Sequence, residues 1–154
     1  MPNLLVFIPP SGDLVHGVTL AALERAVVAE SAKYWLQGSF DSAIEFYDHP
    51  VKRGSFGEQK SRILLLPVAG PELKFVVLAE QRDRETLHLV AQAPSDQIVV
   101  TQPGDEPWRF FAHHAIDRAS TWNVVEAFCS NGDVPAAPNG HEWLTESAVT
   151  LPDE

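Results

Sequence analysis

Several residue types are scarce in this chain, and each shortage removes a class of protein. The one cysteine among 154 residues, Cys129, cannot close an internal disulfide, which excludes a small secreted domain stapled by such bridges. No apolar run approaches the roughly 18–20 residues that a membrane-spanning helix requires. Basic residues are few: 11 Lys and Arg stand against 21 Asp and Glu, a formal net charge of −10. Binding to nucleic acid or to an anionic membrane depends on Lys and Arg neutralising phosphates, so neither is expected as a partner. The run NLLVFIPP near the start has no basic region before it and stops at Pro9 and Pro10. It does not read as a signal peptide, and a soluble, cytoplasmic protein is expected.

What remains is a globular composition, 45% apolar, in a chain long enough to bury a core as one domain, 1–154. Residues 3–8 predict a short buried strand. The segment from Thr19 to Leu36 predicts one helix, with Thr19 as N-cap, Leu20, Leu23, Val27 and Val28 on its apolar face and Gly38 closing it, although its last stretch, KYWLQG, could equally open a strand. SAIEFYD alternates Ile44 and Phe46 against Glu45 and Tyr47, the pattern of a half-buried strand. RILLLPV, LKFVVLAE, TLHLVAQA, QIVVTQ and WRFFA follow as strand-like runs, separated by turn residues. Such short connections require antiparallel neighbours. Residues 117–130 predict a second helix, with Asp117 as N-cap, Trp122, Val124, Val125, Phe128 and Cys129 towards the core, and Gly132 ending it. Helices and strands do not alternate, so the expected class is α+β. The expectation is an antiparallel sheet of about five or six strands with two main helices packed on it, residues 62–112 supplying most of the sheet. A short element is expected around Trp143, with the tail from about 145 disordered.

Two stretches invite a reading as chemistry. GSFGEQKS, residues 54–61, places Gly54, Lys60 and Ser61 where a phosphate-binding loop has them, but Gln59 replaces the second glycine and Glu58 adds a negative charge. Such a loop must open a helix whose amides hold the phosphates, whereas the residues after Ser61 read as strand. No nucleotide binding is expected. His113 and His114 are adjacent, a spacing that seldom ligates one metal. His114 could pair with Asp117 as base and orienter, yet no Ser or Cys nucleophile is marked by a motif. Cys129 reads as a core thiol. No cofactor, metal or catalytic residue is therefore assigned.

The stretch IDRASTWNVVEAFCSNGDVPAAPNGHEW carries a helix, then Gly132, Pro135 and Trp143. It resembles the end of the Imm1-type immunity proteins of bacterial polymorphic toxin systems, although the gap from Pro135 to Trp143 is longer than is usual there. The resemblance covers about the last 45 residues. It implies a non-enzymatic, acidic protein that binds a cognate basic toxin of nuclease or deaminase type and blocks its active site, which agrees with the net charge. The acidic turns holding Asp83, Glu85, Asp105 and Glu106, together with Trp108, are the expected partner-binding residues. Two other classes stay open. One is an adaptor or chaperone for a secreted effector; the other is a small enzyme whose site is assembled from His88, His113, His114 and Asp117.

Overall fold

The computed structural model describes residues 4–37, 42–49, 58–101 and 107–152. In chain order they form β1 (Leu5–Ile8), β2 (Val15–His16), α1 (Leu20–Glu24) running into a π turn at Arg25–Ala29, α2 (Ala32–Leu36), β3 (Ser42–Tyr47), β4 (Gln59–Val68), β5 (Lys74–Gln81) and β6 (Leu87–Ala91). After them come β7 (Ile98–Thr101), β8 (Trp108–Phe111), β9 (Ala115–Ile116), α3 (Arg118–Asn131) and β10 (His141–Thr145). The result is a single α+β domain. Its main sheet has the order β10-β6-β5-β4-β3-β1-β2, with β9 pairing the stretch of β5 that β6 leaves open. All of its pairings are antiparallel.

Among the described residues the main sheet has eight strands rather than five or six. The additional ones are β2, β9 and β10, which are short and take their strand geometry from the neighbour they pair with. The run 62–112 supplies the centre of the sheet, but β7 and β8 leave it and form a separate antiparallel ribbon. Pro67 is tolerated in β4 because pairing with β3 ends at Leu65, so a missing N–H can fall where β4 has no second neighbour among the described residues.

Both faces of the sheet are covered. On the first, Phe7, Ile44, Phe46, Ile63, Leu65, Phe75, Val77 and Leu89 pack against Leu23, Val27 and Trp35 and against Val124, Val125 and Phe128 of α3. On the second, Ala43, Leu64, Leu66, Val68, Val76 and Leu78 pack against Phe110 and Val99 of the ribbon. This double cover explains β3, which reads as half-buried yet is buried from Ser42 to Phe46. Even Glu45 is inside, accepting a hydrogen bond from the Tyr47 hydroxyl at 2.9 Å.

The N-terminal helix is a correction. Thr19 caps it by accepting the Ala22 N–H, but the expected single helix is two short α segments around a π turn. Leu23 and Val27 are buried, whereas Leu20 and Val28 are 47% and 42% exposed. The break has a distant cause. The Arg118 guanidinium donates to the carbonyls of Val27 (2.6 Å), Glu30 (2.6 Å) and Ala26 (3.3 Å), and the Trp35 indole also donates to Ala26. Carbonyls satisfied in this way need no further helical turn, and Ser31 starts α2 afresh as its N-cap. Gly38 lies outside the described residues.

The second helix follows the sequence closely. Asp117 accepts the Ser120 N–H as N-cap, and Gly132 ends the helix at φ 76°. A Cβ on Gly132 would lie 2.5 Å from the Phe46 ring, so both the backbone angle and the close approach require glycine. Among the described residues, no helix is long and apolar enough to cross a membrane.

Candidate functional site

The strand register builds a cleft between the second face of the sheet and the ribbon. Val99 pairs with Phe110 and Thr101 with Trp108, so these four share the inward side of the ribbon, while Ile98 and Val100 face out. Phe110 and Thr101 are buried, but Trp108 stands at the ribbon end and is 40% exposed. The cleft has a volume of about 410 Å³, and Leu64, Leu78, Trp108, Phe110, Leu151 and Pro152 form most of its apolar wall. Its polar lining is Glu80, Thr86, His88, Arg109 and Glu146. Glu80 is engaged by Arg62 at 2.8 Å. The tail does not drift away after β10: Glu146 donates its N–H to the Thr86 carbonyl and begins a 3-10 turn over Glu146–Ala148.

Three imidazoles converge beneath the ribbon. His88 lies opposite Leu78 on the second face, and its ring meets that of His114 at 5.6 Å, edge to face. His113 and His114 are 4.8 Å apart, and Phe110 lies 5.4 Å from His114. The 3-10 turn over Ala112–His114 makes this possible: it buries His114 and leaves His113 stacked on Phe111. The His113 Nδ1 accepts the Ser95 N–H at 3.1 Å, which puts its proton on Nε2.

Both ring nitrogens of His88 and the Nδ1 of His114 are buried without a hydrogen-bond partner among the described residues. The nearest carboxylate to the His88 Nε2 is Glu146, at 3.9 Å. Burial holds His88 below its ordinary pKa, against a weaker opposing pull from Glu146. Burial also pushes His114 down to about 4, and the neighbouring His113 and His88 act in the same direction. Both are neutral at physiological pH, although a charge would be expected of neither from sequence alone. His88 is the residue that sequence reasoning undervalued. The available signal was a histidine placed between Leu87 and Leu89 in a strand.

Asp117 does not join these rings in a base–orienter pair; its carboxylate is spent on the α3 N-cap. Among the described residues, no group of three His, Cys, Asp or Glu could hold a metal ion. Cys129 is half-buried and packs against the core: burial, with Glu126 adding, pushes its thiol up to about 12.

The Lys60–Ser61 end of the phosphate-loop-like stretch is part of a clasp. Gly54 lies outside the described residues, but Lys60 and Ser61 belong to β4. Lys60 donates to the Asn131 carbonyl at 2.9 Å and pairs with Asp133, and the Ser61 hydroxyl donates to the Gly132 carbonyl. Together they satisfy carbonyls that the end of α3 leaves open.

Of the residues expected to bind a partner, Trp108 lines the cleft. Asp83 and Glu85 lie in the exposed β5–β6 turn, with Asp83 at φ 59°. Glu85 is held by the Ser147 side chain and accepts the Ser147 N–H, which together lower its pKa and tie the turn to the tail. Asp105 and Glu106 lie outside the described residues. The chain matches no family model, no curated protein sequence and no solved structure.

Proposed function

We propose that this protein acts by binding a basic protein, and that it serves as the inhibitor of a cognate bacterial toxin. The observation that carries the reading is the placement of Trp108. A large aromatic side chain, 40% exposed, stands at the mouth of an apolar cleft, beside Leu151 at 46%. Exposed aromatics that can be desolvated in a pocket are the side chains that carry most binding energy at protein interfaces. Around them is a chain with a net charge of −10, which attracts and steers a basic partner. The ribbon adds Ile98 and Val100, exposed on its outer side. The same acidity and the helix–Gly–Pro–Trp ending agree with the immunity-protein likeness. In this reading Asp83, Glu85, Asp105 and Glu106 supply the charged surroundings.

The test is neutralisation. If a neighbouring gene encodes a toxin, co-expression with it should restore growth, and Trp108→Ala should abolish that rescue while leaving the melting temperature within a few degrees. A folded protein that captures the neighbouring effector without reducing its toxicity would identify an adaptor instead.

A second reading has one observation in its favour: His88, His113 and His114 do converge. In that reading neutral His88 is a general base at the floor of the cleft. Growth rescue that depends on His88 but not on Trp108 would support it.

A further inference from the structure

We infer that the cleft is the receptor for one lysine or arginine side chain of the basic partner, its cationic head held between Glu146 and His88. This rests on the binding reading and specifies what enters.

The cleft has the chemistry of a long side chain with a charged tip. Leu64, Leu78 and Phe110 offer an apolar wall for a methylene stem, and Trp108 offers an indole face at the mouth, where a cation is favoured. Two carboxylates and one guanidinium, Arg109, line it. Glu80 is already paired with Arg62, so Glu146, whose side chain is 65% exposed, is the carboxylate open to an incoming cation. The second, independent feature is His88. It is 3% exposed, lines the cleft and has no hydrogen-bond partner on either ring nitrogen among the described residues.

The spacing of these two groups matches one donor. Glu146 Oε1 and His88 Nε2 are 3.9 Å apart, so a single N–H-bearing nitrogen can sit about 2.9 Å from both. His88 accepts there through Nε2, its own proton on Nδ1, and Glu146 accepts through Oε1. Nε2 is buried behind Glu146, which stands in an exposed position on the 3-10 turn, so a small displacement of that side chain that keeps both acceptors within reach of one nitrogen admits the head group. At the position between Glu146 and His88 an anion would meet a carboxylate and an imidazole lone pair, although Arg109 also lines the cleft, and a purely apolar group would leave His88 unpaired.

The experiment uses the full chain and n-butylguanidinium as the probe, with pentanoate as the anionic control, followed by NMR of the Trp108 indole N–H and the imidazole protons. Butylguanidinium should shift the Trp108 and His88 resonances with a dissociation constant on the order of 1–10 mM, as expected for so small a fragment. Pentanoate should leave them unmoved, and Glu146→Gln should weaken the guanidinium about fivefold or more without altering the rest of the spectrum. Equal shifts with pentanoate, shifts confined to carboxylates outside the cleft, or unchanged affinity in Glu146→Gln would each overturn the inference. No toxin enters this experiment. Failure of the probe therefore leaves growth rescue as the separate test of the binding reading, and failure of rescue leaves the probe result standing.

Discussion

Acidification should destabilise this protein through the histidines beneath the ribbon before most carboxylates titrate. His114 has an ordinary pKa of 6.5 that burial lowers to about 4 in the fold. Between those values the unfolded chain binds a proton that the folded chain refuses, so stability rises with pH across the interval. The contribution is complete above the unfolded value and is lost as pH falls from 6.5 to about 4. Each pH unit in that window costs about 1.4 kcal/mol, so moving from about pH 7 to about pH 5 removes about 2 kcal/mol through His114 alone. His88, lowered chiefly by burial and pulled back by Glu146, adds loss of the same sign. Urea unfolding at steps across this range would read it as a midpoint falling by about 1 M at a slope typical of this size. His114→Phe keeps a ring against Phe110 and His88 while removing the proton site. Its urea midpoint should fall less steeply with pH than that of the wild type. Parallel curves for the two proteins would refute the reasoning, since they would show that His114 titrates alike in both states.

Three further outcomes follow from the packing. Gly132→Ala forces a left-handed backbone angle on alanine and drives a methyl into Phe46, so it should destabilise by about 2–4 kcal/mol in urea unfolding. Shortening the ring in Gly132→Ala/Phe46→Leu should recover part of that loss relative to the single variants. Arg118→Ala leaves the carbonyls of Ala26, Val27 and Glu30 without their donor, costing about 2–3 kcal/mol and accelerating amide exchange in residues 25–36. Cys129, with its thiol pushed up to about 12, should react with a thiol reagent at neutral pH only after denaturation, which a timed mass measurement checks.

The elements that announced themselves in the sequence are those whose signals are local. The runs that became β4, β5, β6, β7 and β8 carry their own apolar content and turn residues, and α3 carries both of its caps, Asp117 and Gly132. The signals that failed are non-local. The N-terminal helix breaks because Arg118, about ninety residues further on, takes over its carbonyls. No periodicity between Thr19 and Leu36 could reveal that. The ribbon departs from the main sheet although its strands look like the others, because pairing partners are chosen by tertiary packing. The candidate site shows the same division. Trp108 was legible as an aromatic beside an acidic turn, whereas His88 gains its character only from His114 and Glu146 brought to it by the fold.

The proposal that this protein binds a basic partner through the Trp108 face is tested most directly by surface plasmon resonance against any basic toxin-like product of a neighbouring gene, at low and high salt. Reversing Asp105 and Glu106 to lysine should slow association with a basic partner and flatten its dependence on salt, because the net negative charge that steers encounter is reduced. Trp108→Ala should leave association nearly unchanged and speed dissociation by tenfold or more, as loss of an interface anchor does. Melting curves for each variant establish that the fold is intact. Unchanged association and dissociation in all of these folded variants would contradict the account and move the interface to another surface.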